Sequence, residues 1–396
     1  MPQINVYHLL PNTMYDAPLY SSDKLLLLPA MRLLTSDDLA KLKQWQVEVI
    51  ETVGRKLSEE EVERALLAAS AKKISTRQLY GKIKDYEKKR AFEFYVDAES
   101  IVRSMAETVA SGVRIDPDKP KALTRRLIEE IRRGRDIYLT IIHNDYGKEE
   151  HLFYHILNNM ILCLCMGISS NMREDDLLNL GMGAFFADVG MLKVPKHVRD
   201  KTRELSQSDL NLIRKHSQES EKMVTRWLAD YDDAVLRIAA EHHENVDGSG
   251  YPDGRKSVEI HDHAKILALA DVYNAMTKKR AYREGKAGVS VMKELILLKD
   301  KKFDAGVLKT FLSVMSVFPV GTIVKLSDGT CALVVKPNVG HPLQPIVKVL
   351  FDAQGKRQAE PVLIDLKGEG TGAGAVKITG PVDPSAMPKV DIIDEL

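Results

Sequence analysis

The stretch Glu241-His242-His243-Glu244-Asn245-Val246-Asp247-Gly248-Ser249-Gly250-Tyr251-Pro252 decides how this 396-residue chain is read. It follows an apolar helical run formed by Val235, Leu236, Ile238 and Ala239. Glycines and a proline then impose a turn. Neighbouring side chains on a helix point about 100° apart, so both histidines can serve one cluster only at a buried helix end. Two imidazoles, two flanking carboxylates and a glycine turn are the ingredients of a metal centre. The plainer alternative is a helix C-terminus whose histidines interact with its dipole. Further ligand candidates along the chain favour the metal.

His155 sits in the apolar helical context Tyr154-His155-Ile156-Leu157. Asp188 closes Phe185-Phe186-Ala187-Asp188, and Asp271 follows Ile266-Leu267-Ala268-Leu269-Ala270. A carboxylate among such neighbours needs a compensating partner, and a cation is one. His216 completes the set, with Glu150 and His151 as weaker candidates. Any one of these histidines alone is more often a core or surface residue. Four histidines and two buried-looking aspartates on one helical domain suit a dinuclear site. Mixed nitrogen and oxygen ligation fits two divalent ions, iron or manganese, better than a structural thiolate zinc. Such a pair can position a phosphodiester and activate water.

The remaining composition sets the frame. The length allows two or three domains, and 44% hydrophobic residues suffice for a packed core. A net charge of +1 gives no general pull toward nucleic acid or acidic membranes. Cys163, Cys165 and Cys331 form no paired framework, which suits a reducing cytoplasm. No stretch reads as a bilayer span and no secretory signal opens the chain, so a cytoplasmic protein is expected.

The fold expected is multidomain and mainly α. Residues 1–57 read as a small N-terminal α+β module, with Leu25–Leu28 and Val47–Ile50 as strands and a short helix after Ser36-Asp37-Asp38. Residues 58–115 read as a charged helical linker opened by a Ser58/Glu61 capping box. That helix could pair with its twin in a homodimer. Residues 116–317 read as one all-α domain, with helical spacing at Leu123, Leu127, Ile128 and Ile131. Residues 318–366 read as a C-terminal β module built on a hairpin around Ser327-Asp328-Gly329-Thr330. Residues 367–396, with the glycine-rich run Gly368–Gly374, read as a flexible tail; that run lacks the lysine and helix of a phosphate loop.

At these residues the chain resembles the HD-GYP family, bacterial phosphodiesterases of the HD superfamily that act on cyclic di-GMP. The resemblance covers about Tyr138 to Phe318. The segment from His242-His243-Glu244 through Asp247-Gly248-Ser249-Gly250-Tyr251-Pro252 keeps the most distinctive signature intact and ungapped. His155, Asp188, Lys201, Leu205, His216, Asp271-Val272-Tyr273 and Arg280-Ala281-Tyr282-Arg283 keep the family spacing. The resemblance implies that His155, Asp188, His216, His242, His243 and Asp271 are metal ligands, with Asp188 bridging two ions at the catalytic centre. It implies that Gly250, Tyr251 and Pro252 shape a loop over the dinucleotide, and that Arg280 and Arg283 pair with phosphates.

The chain also departs from the family. Ala187 stands where the histidine of the His-Asp pair belongs, and Met191 where a lysine usually follows the glycine. His151 replaces a glutamate associated with a third ion. Ser220 and Asn274 replace a glycine and an aspartate. His261-Asp262 repeats the motif letters out of register, in a loop-like stretch. Two functions follow from this pattern. One is a metal-dependent cyclic di-GMP phosphodiesterase, slowed by Ala187, giving the linear dinucleotide or GMP. The other is a sensor of cyclic di-GMP, or a module docking a signalling partner protein through the Gly-Tyr-Pro loop.

Overall fold

The computed structural model describes residues 2–10, 13–17, 19–22, 26–28, 34, 39, 42–44, 47–58, 61, 85–143, 151–199, 205–227, 233–277, 288–368 and 376–382. Among the sequence expectations, Arg280, Arg283, Lys201, Glu150, the Ser36–Asp38 cap and most of the Gly368–Gly374 run lie outside these residues. Two compact units are present, Met1–Leu79 and Tyr80–Leu396.

The first unit is the expected small α+β module. Strands β1 (Gln3–Asn5), β2 (Leu19–Ser21), β3 (Leu26–Leu28) and β4 (Val49–Glu51) form an antiparallel sheet in the order β1-β4-β2-β3. Val6, Leu9, Tyr15, Leu19, Leu34, Leu42 and Ile50 make its core. The Ser58/Glu61 capping box forms: Ser58 N–H donates to Glu61 Oε2 at 2.9 Å, and Glu61 N–H donates to Ser58 Oγ at 3.3 Å.

The second unit starts earlier than the sequence suggests. Helix α1 (Tyr86–Ala110) was expected within a solvated linker, yet it buries Phe92, Phe94, Tyr95, Ala98, Val102, Met105 and Val109. Its apolar face is therefore used inside its own chain. Helix α2 (Asp118–His143) departs from helical geometry at Gly134. Beside that break, the buried carboxylate of Glu130 accepts from Arg90 Nη1 at 2.8 and 2.9 Å and from Tyr138 Oη at 2.8 Å. Burial works to raise the Glu130 pKa, but Arg90 and Tyr138 outweigh it and hold the carboxyl below its ordinary value. This cluster ties α1 to α2.

Helix α3 (His151–Ser169) is the hub. It packs against α2, α4 (Glu174–Ala187), α8 (Asp262–Thr277), α10 (Ala305–Met315) and α1. Its segment Leu152–Ser169 is long and apolar enough to cross a membrane, which corrects the expectation that no stretch is; 72% of it is buried inside the protein. Cys163 and Cys165 are free and fully buried there, as core packing predicts. Helices α5 (Gln207–Arg214), α6 (His216–Trp227), α7 (Asp233–Glu241) and α9 (Gly288–Leu297) complete the helical set used below.

The C-terminal β module contains β5 (Ile323–Leu326), β6 (Cys331–Lys336), β7 (Ile346–Phe351), β8 (Arg357–Asp365) and β9 (Ile378–Pro381), in the order β8-β7-β6-β5-β9. Alternating side chains fill two cores, one around Val324, Val334 and Val347, the other around Ile323, Leu333 and Leu350. Strand β9 corrects the tail expectation. It pairs with β5, although glycine and proline around it hide a strand pattern.

Candidate metal centre

Five segments deliver the predicted side chains to one place. Helix α3 carries His155, α4 ends beside Asp188, α6 begins with His216, and α8 carries Asp271. Helix α7 stops at Glu241, so His242 and His243 lie in the turn that follows. Released from helical spacing, their rings approach to 4.0 Å between centroids. This resolves how adjacent histidines can face one point.

The side chains form two groups, His216 with His242 and His243, and His155 with Asp188 and Asp271. Within each, one donor atom per residue lies within 4.8 Å of the others. Asp188 faces both groups: its Oδ1 is 3.7 Å from His216 Nε2 and its Oδ2 3.6 Å from His155 Nε2. Asp271 does likewise, with Oδ1 at 2.7 Å from His155 Nε2 and Oδ2 at 3.9 Å from His243 Nδ1. Burial raises the Asp271 pKa, but the His155 hydrogen bond and the neighbouring histidines prevail, holding the carboxyl well below its usual range.

The three-histidine group passes a chemical test for a cation. His216 Nδ1 donates to the Ile213 carbonyl at 2.6 Å, and His242 Nδ1 donates to the Ala239 carbonyl at 2.8 Å. Each neutral ring therefore carries its proton on Nδ1 and presents a bare Nε2. The two Nε2 atoms face each other at 3.3 Å, and His243 Nε2 stands 3.1 Å from that of His216. The lone pairs of His216 and His242, set against one another at 3.3 Å, repel unless a positive centre lies between them. Protons are poor candidates, because burial lowers the pKa of all three imidazoles. A divalent ion held by imidazole nitrogens, with backbone carbonyls fixing the far nitrogens, satisfies this donor set.

The flanking carboxylates do different work from that expected. Glu241 accepts from Arg237 Nε at 2.7 Å and from His261 N–H at 2.6 Å. Glu244 accepts from the backbone N–H groups of Asp253, Gly254 and Arg255 at 2.7, 3.1 and 3.0 Å. Both shape the loop. His261 and His263 sit at the start of α8, outside both groups.

Tyr251 stacks on His243 with centroids 4.7 Å apart, and its N–H donates to the His243 carbonyl. Gly250 is obligatory here, since a Cβ would overlap Asn245 N, Glu244 Cα and His243 O. Beside this loop lies a cleft of about 390 Å³, lined in part by His243, Gly250, Tyr251 and Asp271. Pro252 is not among its lining residues. A larger cleft of about 470 Å³ beside Phe318 and His341 lacks such a ligand cluster, so the chemistry belongs to the smaller one.

Sequence reasoning missed two cations of the cleft. Arg214 lies 5.4 Å over the Tyr251 ring, and Lys302 lines the wall. Burial lowers the Lys302 pKa, while Asp271 opposes that shift. Lys193, the nearest cation in sequence to Met191, is exposed. Also missed were Asn158 and Asn159, a polar pair inside an apolar helix, which is a signal that partners must exist.

Ala187 is fully buried and offers the site no side-chain donor. Its carbonyl accepts from Ser220 Oγ at 2.7 Å, and the same Oγ accepts from Gly190 N–H at 2.9 Å. Thus Ser220 fastens α6 to the turn after Asp188. A Cβ at Gly190 would overlap His216 O and crowd Ser220. Gly190→Ala is expected to push α6 outward and cost about 1–3 kcal/mol. A urea midpoint indistinguishable from wild type would contradict this close approach.

Comparison with known proteins agrees with this layout. The HD domain family matches residues 141–307, and the KOW domain associated with HD domain matches residues 323–373. The chain is 25% identical over 269 residues to cyclic di-GMP phosphodiesterase PA4108 of Pseudomonas aeruginosa, covering 68% of this chain and 64% of that protein. It is 29% identical over 202 residues to cyclic di-GMP phosphodiesterase PdeB of Borreliella burgdorferi, covering 50% and 52%. It therefore spans between half and two thirds of the length of these two relatives. Among solved structures, Bd1817, a HDG"Y"P protein from Bdellovibrio bacteriovorus, aligns over 78% of this chain and 97% of its own, with TM-score 0.48 and 16% identity. The chain carries an HD domain over residues 141–307, continued by a KOW-type β module over residues 323–373, and is similar to cyclic di-GMP phosphodiesterases.

Proposed function

We propose that the protein is a metal-dependent phosphodiesterase that hydrolyses cyclic di-GMP. The observation that carries this reading is the convergence of three histidine Nε2 atoms near Asp188, with His243 reaching the wall of a cleft that also carries Tyr251, Arg214 and Lys302. His216, His242 and His243 would hold a divalent cation, with Asp188 and Asp271 supplying negative charge alongside. Such an ion polarises a phosphoryl oxygen and lowers the pKa of a water. Arg214 and Lys302 would supply positive charge to the phosphodiesters of a bound dinucleotide. Tyr251 offers a ring face to a guanine or its ribose, and its hydroxyl stays protonated because burial raises its pKa. The relatives' names favour cyclic di-GMP, although a Vibrio cholerae relative, 30% identical over 137 residues, is named a 3'3'-cGAMP-specific phosphodiesterase.

Ala187 favours a second reading, a receptor that binds the dinucleotide without cleaving it. Chromatography of products from cyclic di-GMP and 3'3'-cGAMP, with protein loaded with iron or manganese, separates the two. Turnover of cyclic di-GMP that Asp188→Ala abolishes is expected. Tight nucleotide binding with intact nucleotide recovered would replace the enzyme by the receptor.

A further inference from the structure

We propose that this centre holds one cation rather than two: His216, His242 and His243 form the cation site, while Asn159 and Asn274 keep His155, Asp188 and Asp271 as a hydrogen-bonded cluster that takes none. The inference rests on the cation reading of the three-histidine group and narrows it.

Hydrogen-bond partners fix which amide atoms are nitrogen. Asn274 Nδ2 lies 3.1 Å from the His155 carbonyl oxygen, which can only accept, so that atom must be the NH2. The same nitrogen meets Asn159 Oδ1 at 2.9 Å and His155 Nδ1 at 3.0 Å. The Asp271 carboxylate only accepts, so neutral His155 bears its proton on Nε2, which donates to Asp271 Oδ1 at 2.7 Å, and its Nδ1 is the bare nitrogen. A protonated Nε2 has no lone pair left for a cation.

Asn159 follows from the same assignment. With its oxygen toward Asn274, its NH2 is aimed at Asp271 Oδ1 (3.3 Å) and Asp188 Oδ2 (3.5 Å), and stands 3.2 Å from His155 Nε2. One neutral amide nitrogen thus reaches every donor atom that a second ion would need. The relay extends outward: Tyr95 Oη donates to Asn158 Oδ1 at 2.8 Å, and Asn158 Nδ2 donates to Asn274 Oδ1 at 3.4 Å. Flipping Asn274 would set its oxygen against the His155 carbonyl and Asn159 Oδ1, a costly arrangement in a buried network. Ala187 adds no side-chain donor on this side. The contrast with the other group is chemical: there, the bare Nε2 atoms of His216 and His242 confront each other; here, N–H groups already answer the carboxylates.

The full chain is loaded in parallel with Mn2+ and Fe2+, desalted, and analysed for metal; the manganese form is also examined by electron paramagnetic resonance. One ion per chain, with the hyperfine spectrum of a magnetically isolated manganese, is expected. Two ions per chain with an exchange-coupled spectrum would overturn the inference and leave the proposed phosphodiesterase standing. No retained ion of either kind would overturn both. His155→Ala is expected to keep its ion and His216→Ala to lose it; equal loss in the two would also defeat the inference. The combined variant Ala187→His, Asn159→Ala, Asn274→Asp is expected to rise to two ions. A folded triple variant that stays at one would overturn the role given to the asparagines.

Discussion

Replacing His242 by alanine is expected to strip the bound cation and to lower turnover of cyclic di-GMP by at least about 100-fold, since even changes to groups behind the ligands cost about 10–100-fold. The direction follows from geometry. His242 Nδ1 is fixed to the Ala239 carbonyl at 2.8 Å, and its Nε2 stands 3.3 Å from that of His216. Deleting it removes one nitrogen and opens a cavity at a site only 1% exposed. It also removes the lone-pair conflict that the cation relieves, so the apo form should be destabilised less than such a cavity alone would imply. Metal analysis and a thermal melt, with and without added manganese, check both statements. Wild type should gain stability on loading and the variant should not, because only a state that binds is stabilised by ligand. Acid should release the ion as well. Burial holds the pKa of all three imidazoles below the ordinary value, so they stay neutral at neutral pH and compete with the metal only as pH falls below that range. Wild-type metal content in His242→Ala would remove the three-histidine group from consideration as a cation site.

The sequence made much of this centre legible, for identifiable reasons. Asp188 and Asp271 stood out because a carboxylate in an apolar run must be compensated, and the fold brings both to the same point. The paired histidines were legible as a pair. Their convergence depended on α7 ending at Glu241, which no local pattern fixes to one residue. Glu241 and Glu244 were misread as metal chemistry because composition does not say which way a carboxylate turns; both point to backbone amides or arginine. Helix α1 looked solvated because charge content hides an apolar stripe on a long helix. The asparagine relay was the least legible feature. Asn158 and Asn159 on α3 meet Asn274 on α8 across a sequence separation of about 115 residues, and a long-range hydrogen bond leaves no periodic trace. The departure from aspartate at Asn274 was visible, but its consequence, the proton position on His155, needed coordinates.

Glu244 supplies the second large effect, and its signature should differ from that of a ligand. Its carboxylate is 2% exposed and accepts three successive backbone N–H groups, from Asp253, Gly254 and Arg255. Hydrogen bonds to a charged group contribute about 1.5–3 kcal/mol each, and donors left unpaired in a buried site add desolvation cost. Some relief by water is expected at the partly exposed loop, so Glu244→Ala should lose about 3–5 kcal/mol of stability in urea unfolding followed by helical circular dichroism. Glutamine keeps one acceptor oxygen but turns an amide N–H toward the remaining donors, so Glu244→Gln should fall between alanine and wild type. The loop that these bonds close carries Gly250 and Tyr251, and Tyr251 stacks on His243. Its loosening should therefore raise KM for the dinucleotide in both variants. Metal content should stay near wild type, because Glu244 accepts from amides and belongs to neither ligand group. That pairing of lost stability and substrate affinity with retained metal is what a loop clamp produces. A Glu244→Ala protein of normal stability that had lost its cation would instead return this carboxylate to the metal.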